Sequence, residues 1–566
     1  MDPTTLIEST TTFLASLHLL TLFALPALYL LARALYQLYL SPLRGVPGPW
    51  YAAVSDLWLT THVARLRQCR AVHQLFAAYG PIVRIGPNKV AFCDVGGARS
   101  VYAVRRFDKT AFYKGFQTND HDHSMTILPK DLHSRHKKAF APHYTMASLT
   151  QFAPEMNQSV RELISVLTEL GGRTPVDSLD LFRQLLVDIM SATSFGTRGR
   201  ALGAWARAAG DADPLSSAIR DFPKRSILRG NLPAWAWAVV SRIPNRRWRQ
   251  LCDSDRIMTQ YVSAKVTETR TQILAAAGGD AGARKTSMIA RLLGGVDADE
   301  KGHPELSDKD IISETMGHLI AGVDTSSSTL AYLCWELSRR PDIVRNLRAE
   351  LDAALPPQSV GDADAETDAD VDIAALFKLP YLSAFIKEGL RLYSAAPGIL
   401  ERVVSESESK EFTLLGHTLP AGTVVGTQAW SMHRDGACFP VPDAFCPERW
   451  LPGGATADSN LGKDGSRNEK NKDSSGDESK KTDEEAKMRK AQDAHMMPWG
   501  LGTRMCTGMT LAQIVLRLVV VAVVRGFEVR APRETTEGSM EMRDSFVMFP
   551  AAMKCRLVYE PRGAQA

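Results

Sequence analysis

The chain has 566 residues, with 67 Lys and Arg against 63 Asp and Glu, a formal net charge of +4. The cations are scattered rather than gathered into a stripe, which argues against a nucleic-acid-binding protein. Hydrophobic residues make up 45% of the chain, ample for a large core, and eight cysteines without a CxxC pair argue against a disulfide scaffold, a zinc ribbon or a thioredoxin-type centre and for a reducing compartment.

Residues 1–40 read as a membrane anchor. Ser9 to Ala32 carries no Asp, Glu, Lys or Arg, and FLASLHLLTLFALPALYLLA is long enough to cross a hydrocarbon layer of about 30 Å as a helix. No basic segment precedes it, which disfavours a cleaved signal peptide. Asp2 and Glu8 lie before it and Arg33 and Arg44 after it, so the positive-inside rule places the body in the cytosol. Residues 41–50, SPLRGVPGPW, are too rich in Pro and Gly to extend that helix and form a stiff connector.

The body, 51–566, is expected to be one domain, mainly α with small β-sheets (α+β). YGPIVRIGPNKVAFCD (79–94) alternates like a β-hairpin. From about 95 to 395 apolar residues recur at helical spacing. A second small β region is expected at 400–430, then a helix after residue 508 and strands near FEVR and KCRLVYE. Residues 311–338 read as a helix, with Ser307 and Asp310 as a capping-box start and a stop at Arg340, before Pro341. Three stretches look like solvated insertions: 278–285, 356–372 and the charged 453–494, the last expected to be disordered apart from a frayed helix near 483–493. Loops over the site are expected at 112–126 and 210–240.

WGLGTRMCTG (499–508) sets one cysteine among glycines and a cation. A thiolate is a good metal ligand and a thiol a poor one. Gly502 and Gly508 let backbone approach the sulfur, and the apolar run after Cys506 starts a helix whose N-terminus favours an anion. Upstream, Glu388 and Arg391 share a helical face at i, i+3 spacing.

In this order the motifs resemble those of the cytochrome P-450 monooxygenases over about residues 40–560. Trp499-x-x-Gly502-x-Arg504-x-Cys506-x-Gly508 is similar to the family's haem-binding loop, with Trp499 where Phe is usual. Glu388-x-x-Arg391 looks like its Glu-x-x-Arg pair, and Pro447-Glu448-Arg449-Trp450 resembles the segment whose Arg449 completes that network. Ala321-Gly322-Val323-Asp324-Thr325 resembles the oxygen-activating segment, Gly322 letting the helix open and Asp324 and Thr325 delivering protons. Thr325 could equally be a helix hydroxyl bonded to the carbonyl four residues back. His133 and Lys137 resemble the aromatic-x-x-x-basic pair that holds the haem propionates, although Trp and Arg are usual there. Arg402 and Arg504 are further candidates for that task.

The resemblance implies haem b held axially by the Cys506 thiolate. Such a ligand pushes electron density onto iron and favours O–O cleavage. It also implies electrons from an NADPH–cytochrome P-450 reductase, a single-pass location in the endoplasmic reticulum membrane and a lipophilic small-molecule substrate. Fungal secondary metabolism, on a terpenoid or polyketide, is the expected setting. Two alternatives stay open: a haem-thiolate isomerase or dehydratase working without O2, and a non-catalytic haem-binding sensor.

Overall fold

A computed structural model describes residues 23–207, 214–232, 234–276, 287–294, 306–356, 371–407, 412–454 and 478–563. The first half of the expected anchor, the 278–285 loop and most of 356–372 lie outside those residues. The described part of the anchor is a helix, α1 (Phe23–Leu40), none of whose residues is buried. Phe23, Leu25, Leu28, Tyr29, Leu30 and Leu31 all point outward, so nothing in the body competes for this apolar surface. The helix stops at Ser41, where the backbone turns extended ahead of Pro42.

The connector is tied to the body by Arg84. Its guanidinium donates to the Gln37 carbonyl at 3.0 Å, the Gln37 side-chain oxygen at 2.5 Å and the Pro87 carbonyl at 2.7 Å. The Arg84 N–H reaches the Pro47 carbonyl at 2.7 Å. A side chain at Gly48 would collide with the Arg84 carbonyl, its Cβ falling 2.6 Å away. The exit angle of α1 is therefore set by a buried cation.

The expected hairpin is β1 (Ile82–Gly86) and β2 (Lys89–Phe92), antiparallel across a turn at Pro87 and Asn88. Next come β3 (Asp108–Lys109), α2 (Lys130–Phe140), β4 (Val176–Asp177), α3 (Ser178–Phe195), α4 (Pro214–Asn231), α5 (Ser254–Ala276) and α6 (Asp308–Arg339). The α6 ends follow the sequence reading: Ser307 and Asp310 form a reciprocal capping box, and Arg340 is the C-cap before Pro341. The expected 210–240 loop is instead largely helix, α4 plus Ala234–Val240, apart from 208–213 and 233, which are not described. Residues 111–116 form a 3-10 turn.

Past α7 (Pro380–Leu392) lie β5 (Arg402–Val403), the β6–β7 hairpin (Thr413–Leu414, His417–Thr418) and β8 (Val424–Gly426). Strands β1, β2, β8, β5 and β3 make one sheet in that order. α8 (Glu478–His495) contains the helix expected near 483–493 and is longer than that reading. Its end is pinned to the body rather than frayed: Arg489 donates to the Leu451 carbonyl at 2.5 Å and Gln492 to the Cys438 carbonyl at 3.0 Å. Residues 455–477 are not described. α9 (Met509–Gly526) leads to β9 (Phe527–Arg530), the unforeseen β10–β11 hairpin (Met542–Ser545, Val547–Pro550) and β12 (Arg556–Pro561). β12 pairs with both β4 and β9.

The main core lies where α3, α6 and α9 meet. α9 is apolar and long enough to cross a membrane, yet it is mostly buried: Ile514, Val519, Val520 and Val523 have no exposure. Burying each such side chain contributes about 1.5–3 kcal/mol. Against this core sits a charged network without solvent contact. The Glu388 carboxylate accepts from Arg391 Nε at 2.8 Å and Nη2 at 2.8 Å, from Arg449 Nε at 3.0 Å, from Trp450 Nε1 at 3.0 Å and from the Cys446 N–H at 2.9 Å. Arg391 also donates to the carbonyls of His433, Pro442 and Ala444. Burial would raise the Glu388 carboxyl, but the two guanidinium groups hold it below its ordinary range.

Removing one member leaves an uncompensated buried charge, which costs roughly 3–5 kcal/mol. Glu388→Ala is therefore expected to lower the unfolding free energy by about that amount in urea titrations. A variant within about 0.5 kcal/mol of wild type would contradict the structural role.

Candidate functional site

Cys506 stands on a loop whose shape is set by glycines. Gly500 and Gly502 have φ of 74° and 70°, which side-chain-bearing residues avoid. At Gly502 a Cβ would also lie 2.1 Å from the Tyr102 carbonyl oxygen. The loop closes on itself through the Cys506 N–H, which donates to the Trp499 carbonyl at 2.8 Å. The N–H groups of Gly508 and Met509, at the start of α9, point at the sulfur. Burial pushes the thiol up, and those two N–H groups with the Lys137 ammonium work against it. Such an arrangement stabilises a thiolate once a cation is near.

Cys506 is exposed, and what it faces is a cavity rather than packed side chains. The cavity encloses about 1100 Å³ of empty space, its mouth included. One wall is the Cys506 loop and the first turns of α9, with Trp499, Leu511 and Val515. The opposite wall is α6, with Gly317, His318, Ala321, Gly322, Thr325 and Ser326. Of the eight cysteines, only Cys506 lines it.

Cations crowd one edge of this slot. Lys109, His133, Lys137 and Arg504 line it. Arg402 does not line it but lies behind, stacked on the Tyr102 ring at 5.0 Å. The cations are held by neutral carbonyls. Lys137 Nζ donates to Met505 O at 2.8 Å and Thr503 O at 3.2 Å. Lys109 Nζ donates to Met125 O at 2.6 Å, and Arg504 donates to the carbonyls of Ile127 and Leu128. Burial depresses Lys109 well below its ordinary value, and Arg402 and Arg504 add repulsion. Burial and the Arg402 charge lower Arg504 to about 10. His133 is lowered to about 3 by burial and then by Arg504, Lys109 and Lys137. Its Nδ1 is buried without a hydrogen-bond partner. This edge suits a multiply charged anion, and with the sulfur facing the same cavity the residues present fit a haem, whose propionates the cations would hold.

Asp324 and Thr325 are parted. Thr325 faces the cavity, its hydroxyl donating to the Ala321 carbonyl at 2.6 Å. Asp324 is buried on another face, where Arg183 Nε donates to it at 3.0 Å, and it borders a separate cleft between α3, α4 and β11. Successive helical residues are rotated by about 100°, which is why adjacency in sequence did not make them neighbours in the cavity. α6 runs unbroken through Gly322, contrary to the expected opening. A Cβ at Gly322 would lie 2.4 Å from the Met190 sulfur, so the glycine admits that side chain.

Several cavity residues were not singled out in the sequence: Lys109, His123, Ser124 and His318. The last was legible, since Glu314, His318 and Thr325 follow i, i+4 and i+11 along one helix. His318 Nε2 pairs with Glu314 Oε1 at 2.8 Å, and the Tyr144 hydroxyl lies 2.9 Å from its Nδ1. Burial would raise Glu314, but hydrogen bonds from His136 and His318 hold it well below its ordinary range.

A sequence model of the cytochrome P450 family matches residues 46–556. The chain is 26% identical to the cytochrome P450 monooxygenase cypX of Dothistroma septosporum over 539 residues, 94% of this chain and 93% of that one. It is 25% identical to the cytochrome P450 monooxygenase stcB of Emericella nidulans, covering 93% and 90%. To the benzoate 4-monooxygenase bphA of Aspergillus niger it is 24% identical, covering 93% and 95%. The fold is similar to the crystal structure of the cytochrome P450DA heme domain, with a TM-score of 0.66 at 17% identity, covering 91% of this chain and 98% of that one.

His433 joins the Glu388 network to the Cys506 loop. Its Nδ1 lies 2.9 Å from the Arg391 carbonyl, and its Nε2 accepts from the Met497 N–H at 2.8 Å. Burial lowers its pKa to about 3, although the bond to Arg391 opposes this. Between pH 6.5 and about 3 the unfolded chain therefore binds a proton that the folded chain refuses. Stability rises with pH through that window, by up to ~1.4 kcal/mol per pH unit from this residue. Thermal midpoints measured from pH 7.5 down to 5 are expected to fall, and His433→Asn should flatten the slope while lowering the midpoint throughout.

Proposed function

The chain belongs to the cytochrome P450 family, and we propose that it is a membrane-anchored member that hydroxylates or otherwise oxidises a lipophilic small molecule of fungal secondary metabolism, of terpenoid or polyketide class, and that Cys506 would hold its haem iron. It is a haem-dependent monooxygenase. Bound haem activates O2, so that one oxygen atom enters the substrate and the other leaves as water. The single observation behind the ligand assignment is that Cys506, alone among the cysteines, opens onto a slot with a cationic edge.

The residues divide the work. Gly508 and Met509 N–H groups favour the anionic sulfur against burial, Trp499 packs beside it, and Gly502 lets the loop approach Tyr102. Lys109, Lys137 and Arg504 would hold the propionates from the cavity edge, with His133 as a neutral donor and Arg402 behind them. Thr325 is the proton-delivering hydroxyl above the slot. Asp324, paired with Arg183 at the other cleft, serves as the link from that cleft to Thr325 rather than as a wall of the cavity. Leu186, Ile189 and Met190 give the α3 side of the cavity an apolar lining, which supports a lipophilic substrate. Electrons come from a separate NADPH–cytochrome P-450 reductase. The exposed apolar surface of α1 supports anchoring in the endoplasmic reticulum with the body in the cytosol.

Cys506→Ser is expected to abolish the red-shifted Soret band of the reduced, CO-bound protein while far-UV circular dichroism stays native. An unchanged band would end the assignment. Thr325→Ala is expected to keep the band and divert electrons from product to hydrogen peroxide, measured as peroxide released per NADPH consumed with a reductase. Full coupling in that variant would remove Thr325 from proton delivery. Deleting residues 1–40 should move the protein from the membrane pellet to the supernatant with its CO spectrum intact. Continued sedimentation would place the attachment elsewhere.

A further inference from the structure

We propose that Asp435, Cys438 and His495 form a zinc site on the surface beside the Cys506 loop, distinct from the haem cavity. Their ligand atoms all lie within 4.8 Å of one another. His495 Nε2 is 3.7 Å from Cys438 Sγ and 3.3 Å from Asp435 Oδ2. A tetrahedral zinc, about 2.3 Å from sulfur and about 2.0 Å from nitrogen and oxygen, sets those separations near 3.6 and 3.3 Å. The two edges at His495 match an ion of that size, and the third, from Cys438 to Asp435, is within 4.8 Å.

The imidazole is oriented as a ligand. Its Nδ1 lies 2.7 Å from the Ala491 carbonyl and donates to it, which leaves the Nε2 lone pair facing the cysteine and the aspartate. A lone pair and a carboxylate 3.3 Å apart repel unless a cation or a proton lies between them. Cys438 is buried, whereas the Asp435 side chain is one-third exposed, so the site has a closed inner face and an open outer one. Three protein ligands of mixed S, N and O type leave the fourth position for water, and sulfur with imidazole selects zinc over magnesium or calcium. On binding, the Cys438 thiol gives its proton to solvent and the thiolate takes its place on the metal.

The position gives the ion a structural task. His495 is the last residue of α8, and Met496 and Met497 lead from it into the Cys506 loop. Asp435 and Cys438 follow His433, whose ring holds the Met497 N–H. Zinc would clip the end of α8 to that segment and fix where the haem loop begins.

The test uses the full haem-loaded protein equilibrated with micromolar free Zn2+ in a chelator buffer, then desalted. Zinc per chain is read by inductively coupled plasma mass spectrometry and the ligand shell by X-ray absorption at the zinc edge, where iron does not interfere. The expected result is one zinc per chain with one sulfur neighbour and the rest nitrogen or oxygen. Cys438→Ser and His495→Gln should each lower occupancy at least tenfold with the CO-difference spectrum retained, and Cys252→Ser should leave it unchanged. If either variant misfolds, Asp435→Asn, at the exposed ligand, serves instead. Wild-type protein without stoichiometric zinc, a sulfur-free shell, or full zinc in Cys438→Ser would each overturn the site. Loss of the CO band with zinc retained would count against Cys506, not against this site.

Discussion

The Glu388 carboxylate is the interaction on which the rest depends. One buried anion accepts five hydrogen bonds, two of them from Arg391, and those from Arg449, Trp450 and Cys446 bring in the 446–450 segment. The remaining Arg391 donors capture carbonyls at 433, 442 and 444, so one guanidinium shapes an irregular stretch that lacks secondary structure of its own. From there the order passes to the sulfur. His433 is fixed by the Arg391 carbonyl, Met497 is fixed by His433, and two residues later Trp499 closes the loop on the Cys506 N–H. A buried ion network is poor evidence for stability in general. Here its geometric consequence is specific, because it positions a loop too rich in glycine to position itself.

What the sequence made legible was what local chemistry determines. Glu388 and Arg391 are one helical turn apart, so their pairing needs no tertiary information. The Ser307–Asp310 box and Pro341 bound α6 for reasons carried within a few residues. The Gly502 and Cys506 spacing carried the same kind of information. Long-range neighbours were opaque. Lys109 joins the cationic edge because β3 pairs with β5, a contact across almost 300 residues of chain. α8 was legible only as a frayed helix, because its composition resembles a solvated tail and the contacts with Leu451 and Cys438 that hold its end are long-range.

The separation of Asp324 from Thr325 illustrates a different limit. The motif was read as an acid beside an alcohol in one place, yet a helix turns consecutive side chains to different faces. The aspartate consequently meets Arg183 on α3 while the threonine meets the cavity. The pair therefore borders two separate compartments on different faces of one helix.

The cationic edge explains why fold and cofactor belong together. Lys109, Lys137, Arg402 and Arg504 have no carboxylate within ion-pair distance among the described residues, and burial depresses Lys109, Lys137 and Arg504. Packing like charges together costs free energy in the absence of an anion, and the carbonyls that hold these groups offset only part of it. A ligand bearing two carboxylates turns that cost into affinity, and its binding stabilises the folded chain in proportion to the logarithm of its concentration over its dissociation constant. The sulfur adds a second, opposite requirement: an anion that burial disfavours and a metal cation relieves. One flat group, positive at its centre and negative at its rim, answers both demands at once, and neither half of the site is electrostatically settled without it.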